Sequence, residues 1–226
     1  MLQLFKRRHK NKQQQHTAMD TLTRPMFALI CVNNVNRSTA AHDRLHAAGL
    51  RVCSYGAGAR VSFPGRTPTT PRVFAFATPY ETMRQQLTKE DEQLFTSNGV
   101  LQMLERDVAT KRSPERWQAL SNKQLQQIDV VVCLDYRMFL TVLADLSMRI
   151  RLSFKKKRMH LICLDVEDTP EDASSGGLRA LALCKELDDA AAATTCEGLT
   201  EELVKRIVVD FEKRHNIQLF YLGLRI

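Results

Sequence analysis

The stretch Cys31-Val32-Asn33-Asn34-Val35-Asn36-Arg37-Ser38 brings together the residue types that phosphate chemistry requires. A cysteine at the floor of a ring of backbone N–H groups is expected to act as a thiolate nucleophile. Arg37 follows five spacer residues later, and its planar fork can grip two phosphate oxygens, which lysine cannot do. A phosphate ester dianion resists nucleophiles. The N–H groups from Val32 to Arg37 and the guanidinium would neutralise that charge and stabilise it as it spreads in the transition state. Ser38 is placed to donate its hydroxyl to the Cys31 thiolate, which makes the sulfur a better leaving group in a second step. Asn34 can hold a left-handed turn, a conformation asparagine tolerates. The chemistry is that of a cysteine-dependent phosphatase.

Expelling a serine or threonine alkoxide also needs a general acid. Leu161-Ile162-Cys163-Leu164-Asp165-Val166-Glu167-Asp168-Thr169-Pro170 offers one where an apolar run gives way to carboxylates. Asp165 and Asp168 are the candidates. A helix cap or a turn is the competing use of either carboxylate.

These residues need a frame. Met26–Ile30 reads as a buried strand, and Arg37 onward as a helix ending at Gly49. Strand, tight loop and helix N-terminus together make an anion site. Leu50–Tyr55 reads as a second strand closed by Gly56-Ala57-Gly58, completing a right-handed βαβ unit. Residues 59–76 alternate apolar runs with Pro64-Gly65 and Pro68 to Pro71, a lid-like hairpin excursion rather than a core element. Residues 79–107 read as helix interrupted near Asn98-Gly99, and Asn122–Gln127 as a short polar helix. Ile128–Leu134 and Met159–Leu164 read as further strands, with a helix over Met138–Ile150 between them. Helices are expected at about 173–189 and 199–214, and Gln218–Ile226 as a last strand. Ala190–Gly198 reads as a linker or insertion. Strands alternating with helices predict an α/β fold of three layers around a mostly parallel sheet, with ligands at the carboxyl ends of the strands.

Composition narrows the class. A chain of 226 residues, 44% hydrophobic and 26% charged, suits one globular domain, here 25–226. No run reaches the length of a membrane span, so an intracellular, soluble protein with no membrane partner is expected. Six cysteines at unpaired spacings argue against a disulfide framework or a metal site. Most of the net charge of +8 sits in residues 1–24, where Lys6, Arg7, Arg8, Lys10, Lys12 and Arg24 face only Asp20. That extension reads as a disordered tail. A nuclear address, a direct nucleic-acid contact and plain solvation all fit it.

The chain resembles the Ssu72 family of RNA polymerase II C-terminal-domain phosphatases, relatives of the low-molecular-weight tyrosine phosphatases. The resemblance rests on the Cys31–Ser38 loop followed by Ala41-His42, and on Tyr55-Gly56-Ala57-Gly58 and Phe63-Pro64-Gly65. It rests further on Asn98-Gly99 with Met103-Leu104, on Pro114-Glu115-Arg116, and on Leu164-Asp165-Val166-Glu167-Asp168. It implies a low-molecular-weight phosphatase-like fold and hydrolysis of phosphoserine before a cis proline in the polymerase tail, with neither metal nor cofactor. Cys31 would be the nucleophile, Arg37 the phosphate clamp, and Asp168 the general acid supported by Asp165. Val32, Asn33, Asn34, Val35 and Asn36 would cradle the phosphate. Pro64, Gly65 and Met103 would build the peptide groove. The implied partners are the phosphorylated polymerase tail and a scaffold of the cleavage and polyadenylation machinery. The implied place is the nucleus, in transcription and mRNA 3′-end processing. Val32, Asn33 and Val35 stand where the family has serines and a glutamine, and Lys155–Arg158 is an unusual basic loop.

Two other readings remain open from sequence. One is a low-molecular-weight protein tyrosine phosphatase, which carries an Asp-Pro acid loop that Asp168-Thr169-Pro170 does not reproduce. The other is a mainly architectural component of an RNA-processing complex that keeps the fold.

Overall fold

The computed structural model describes residues 24–67, 69–150, 157–194 and 198–226. Strand β1 (Met26–Cys31) runs into helix α1 (Asn36–Ala47), which returns through Gly49 to β2 (Arg51–Gly56). A hairpin, β3 (Val61–Phe63) and β4 (Arg72–Phe74), precedes helices α2 (Tyr80–Ser97) and α3 (Val100–Thr110). After a short 3₁₀ turn and α4 (Asn122–Leu125) come β5 (Val130–Cys133), α5 (Tyr136–Ile150) and β6 (Arg158–Cys163). Helices α6 (Pro170–Ala193) and α7 (Glu201–His215) and strand β7 (Phe220–Arg225) complete the chain.

The main sheet has the order β2-β1-β5-β6-β7. Its first four strands are parallel and β7 is antiparallel. Parallel strands covered on both faces bury every side chain, and β5 does so along its whole length. Alternate residues serve the two faces. Phe27, Leu29, Val130, Val132 and Ile162 pack under α1, α6 and α7, through Leu45, Leu183 and Phe211 among others. Ala28, Ile30, Val131 and Leu161 pack against Trp117, Leu125 and the α5 residues Val142 and Leu146. This is the three-layer, mostly parallel α/β architecture that the strand and helix alternation predicts. From β1 the chain moves one way to β2 and later the other way to β5, so β1 and β5 flank a switch point. Ligands in such sheets lie outside the carboxyl ends of the strands at that point. Cys31 ends one of these strands and Cys133 the other.

Three expectations shift. The hairpin is not a surface excursion: Val61 and Phe63 are buried and share a third apolar cluster with Val35, Tyr80, Met83, Leu87, Phe95 and Leu104. The helix over 79–107 breaks twice. Gly99 takes a left-handed φ of 78° between α2 and α3, and α2 itself kinks at Asp91 (φ −164°, ψ 83°). The Asp91 carboxylate accepts from Leu94 N (3.0 Å) and restarts the helix, a capping role that helical periodicity does not reveal. Finally, α6 runs on through Ala190–Ala193, because alanine favours helix and Thr194 then leaves it in an extended conformation. The basic tail up to residue 23, Lys155 and Lys156 of the Lys155–Arg158 loop, and residues 195–197 lie outside the described residues. No helix among the described residues is long and apolar enough to cross a membrane.

Candidate active site

The loop between β1 and α1 is shaped by partners far away in sequence. Ala57 N donates to Cys31 O (2.9 Å) and Gly58 N to Val32 O (3.0 Å), so the end of β2 anchors the start of the loop. A Cβ on Gly58 would lie 2.8 Å from Val32 O, which is why glycine stands there. Asn34 takes the left-handed conformation (φ 54°) and is fully buried. Its Nδ2 donates to Ser38 Oγ and to Ser54 Oγ, each at 3.1 Å, and its Oδ1 accepts from Glu115 N (2.9 Å). That last bond fixes which way the amide faces.

Ser38 Oγ lies 3.0 Å from Cys31 Sγ. Because Asn34 already donates into Ser38 Oγ, the serine proton is free to point at sulfur. Asn34 N donates to the same sulfur at 3.2 Å. Two donors therefore converge on this sulfur.

Arg37 is almost fully buried. Its Nη1 donates to Leu134 O (3.0 Å) and Val166 O (2.7 Å), which threads the guanidinium between the ends of β5 and β6. Its Nη2 lies 3.2 Å from Asp135 Oδ2 and 3.4 Å from Asp168 Oδ2. Its Nε is buried without a protein partner, the donor that a phosphate oxygen would satisfy. Burial alone would push the Asp135 carboxyl up. The Met138 N–H, Arg37 and Arg137 outweigh it and hold the group below the usual carboxylate range. Asp135 therefore stays charged and pins the clamp.

Asp168 and Asp165 take different places. The Asp168 carboxylate accepts from Asn36 Nδ2 (3.1 Å), and the same amide donates to Thr169 O (3.1 Å). Thr169 caps α6 through Asp172 N, with Pro170 at its first turn, so a helix start holds the acid loop. Asp168 shares a cavity of about 110 Å³ with Cys31. It also borders a second one of about 470 Å³ that holds Arg37. Asp165 borders only the second and accepts from Tyr136 N at 3.0 Å. It secures the neighbouring loop, while Asp168 faces the sulfur side.

The remaining candidates divide. Val32 and Asn33 line the larger cavity, and Pro64, Met103, Val35 and Asn36 the one at Cys31. Asn33 also grips the hairpin, donating from Nδ2 to Ser62 O (2.9 Å) and accepting from Ser62 N (3.2 Å). Two expectations need correcting. The Asn34 side chain contacts the loop's supports and not the cavity. Gly65 lines neither cavity: a Cβ there would sit 1.9 Å from Thr70 O, so it serves the hairpin turn. Val35 is buried and packs into the lid cluster, which leaves its backbone as its offer to a ligand. Sequence reading missed Asp135, Ser54, Glu115, Tyr80 and Arg106. Asp135 carried a signal, as an acid directly beyond the most apolar strand, and Glu115 another, inside the Pro114-Glu115-Arg116 motif. Among the described residues no group of three His, Cys, Asp or Glu side chains could hold a metal ion.

Cys31 ends β1, Arg37 opens α1, Asp135 follows β5 and Asp168 follows β6, and a family model described as Ssu72-like protein matches residues 25–224. The chain belongs to the Ssu72 family. Its relatives include the RNA polymerase II C-terminal domain phosphatase SSU72 of Danio rerio, 37% identical over 158 residues, 70% of this chain and 78% of that protein. The Schizosaccharomyces pombe phosphatase of the same description is 34% identical over 193 residues, 85% of this chain and 92% of that one. The Ssu72 fold is also the one seen in a solved Drosophila melanogaster serine phosphatase of the polymerase C-terminal domain. The two match with a TM-score of 0.79 at 29% identity, over 89% of this chain and 99% of that chain. D. melanogaster Ssu72 solved with Symplekin and a cis peptidomimetic phosphoserine C-terminal-domain peptide matches with a TM-score of 0.75 at 28% identity, over 89% and 98%. Of the spacer side chains between Cys31 and Arg37, Asn34 is the one that reaches Ser38 beside the Cys31 sulfur.

Proposed function

We propose that this chain is a cysteine-dependent protein phosphatase that hydrolyses phosphoserine followed by cis proline in the RNA polymerase II C-terminal domain. The observation that carries the reading is the placement of Asp168 between the Cys31 cavity and the Arg37 clamp. Cys31 Sγ attacks phosphorus in line while the loop N–H groups and Arg37 hold the three non-bridging oxygens. The P–O bond to serine breaks, and the alkoxide takes a proton from the Asp168 carboxyl. That leaves a cysteinyl-phosphate and a carboxylate. Asp168 then removes a proton from water, whose oxygen attacks phosphorus and expels the Cys31 thiolate. Ser38 and Asn34 N stabilise the departing sulfur. Inorganic phosphate leaves and the enzyme returns to its starting state.

The lid of hairpin, α2 and α3 supports a peptide substrate. Phe63, Pro64 and Met103 wall the Cys31 cavity with apolar surface, suited to a proline ring. Only a minority of Ser-Pro bonds are cis in a flexible chain, so a shaped groove is needed to select them. A nuclear place, a role in transcription and mRNA 3′-end processing, and a scaffold of the Symplekin kind belong to the same reading; relatives named as phosphatases of the RNA polymerase II C-terminal domain, and one solved with Symplekin, support it. The test is a panel of phosphoserine-Pro, phosphoserine-Ala and phosphotyrosine peptides, with chelator present. Phosphoserine-Pro is expected to be preferred, and Cys31→Ser to abolish turnover. Dependence on a divalent metal, or preference for phosphotyrosine, overturns the reading.

A further inference from the structure

The N–H groups of the catalytic loop turn inward only if its carbonyls turn outward, because a trans peptide plane sets C=O and N–H in opposite directions. Outward carbonyls away from water must find donors. The first two do so in the core, where Cys31 O and Val32 O accept from Ala57 N and Gly58 N. The last three are served from elsewhere. Tyr80, the first residue of α2, donates its Oη to Asn34 O. Arg106 of α3 donates from Nη2 to Val35 O (3.0 Å), Asn36 O (3.3 Å) and Thr39 Oγ1 (2.7 Å).

Both donors are locked. Tyr80 is fully buried within the lid cluster, so its hydroxyl has no solvent alternative. Arg106 is tethered to the fully buried Asp107, with Nε at 3.0 Å and Nη2 at 2.8 Å from Oδ1.

We propose that Tyr80 and Arg106 are positioning residues through which the lid aims the phosphate-binding N–H groups. Tyr80 acts on the Asn34–Val35 peptide plane and so aims Val35 N–H. Arg106 acts on the next two planes and so aims Asn36 and Arg37 N–H. The lid is therefore half of the anion nest's scaffold as well as a wall of the peptide groove. Its order and the competence of the nucleophile are one property, so a partner or substrate that stiffens α2 and α3 would raise kcat without touching Cys31.

The proposal rests on the phosphatase reading, and its test separates the two. Tyr80→Phe removes one hydroxyl and keeps the ring. Three quantities are read: kcat and KM on a generic aryl phosphate, affinity for vanadate as a transition-state-like oxyanion, and the rate of Cys31 alkylation by iodoacetate. Removing an oxyanion donor outright costs about 10²–10³ in kcat, and misaiming one costs less, on the order of tenfold. The expected result is a kcat lowered on the order of tenfold with KM within about twofold, vanadate affinity weakened in parallel with kcat, and slower alkylation. Arg106→Ala should do more, and Arg106→Lys should recover part of the loss because lysine restores one donor. A thermal melt of each variant identifies the folded material on which these ratios are read. Unchanged kcat and vanadate affinity in folded Tyr80→Phe, or a loss confined to KM, overturns the proposal. Vanadate binding and alkylation need no peptide, so an incorrect substrate assignment leaves them readable.

Discussion

Asp168→Asn tests the division of labour between the two loop carboxylates. The amide keeps the shape of the side chain and an oxygen that can accept from Asn36 Nδ2, now 3.1 Å from Oδ1. It removes a transferable proton and a negative charge 3.4 Å from Arg37 Nη2. These losses act in opposite directions. A positioned general acid is worth about 10²–10⁴ in rate, or about 3–5 kcal/mol of barrier when a serine alkoxide must leave. Freeing Arg37 from its neighbour strengthens phosphate binding. Asp168 is 47% exposed on its side chain, so water screens that gain to less than about 1 kcal/mol. The barrier term wins for phosphoserine. A nitrophenolate leaves without help, and the water step that also uses Asp168 is common to both substrates, so in kcat/KM, which reports the first step, only the weaker effects remain with an aryl phosphate. Steady-state kinetics on a phosphoserine-proline peptide should show kcat/KM lowered by about 10²–10⁴. With nitrophenyl phosphate the change should stay within about tenfold. Equal losses on the two substrates would refute the reasoning, as would the substrate-selective loss in Asp165→Asn but not in Asp168→Asn.

Two further outcomes can be measured without peptide substrates. Burial pushes the Asp107 carboxyl up to about 7, against the opposing pull of Arg106. The unfolded chain gives up that proton near its ordinary value, so this group's contribution to stability falls as pH rises from about 4 to about 7 and is flat above. Asp107→Asn should therefore gain on the parent by about 3 kcal/mol between pH 5 and pH 8 in denaturant melts; parallel profiles would show that Asp107 does not titrate there. Asn34→Ala strands the Glu115 N–H and two serine hydroxyls, and it places at φ 54° a residue that tolerates the left-handed region less well than asparagine. A loss of about 2–4 kcal/mol is expected, with iodoacetate alkylation of Cys31 slowed in the folded fraction; an unchanged melt and alkylation rate would contradict the network.

What the sequence determined by itself was local. Cys31, Arg37 and Ser38 are neighbours along eight residues, and the apolar run before them and the helix after them dictate a nest whatever the rest of the chain does. Runs such as Val130–Cys133 announce strands because parallel strands bury both faces. The placement of Asp165 and Asp168 beyond such a run was legible for the same reason.

Tertiary structure decided which carboxylate faces the sulfur, because that depends on the order β1-β5-β6 and on Asn36 reaching across 132 positions to Asp168. It also decided what holds the nest open. Ser54, Glu115, Tyr80, Arg106 and Asp135 approach the loop from separate elements, and no spacing along the chain encodes those meetings. They follow from packing the lid cluster onto the sheet edge, where each buried carbonyl and each buried charge must find a partner that the local segment does not contain.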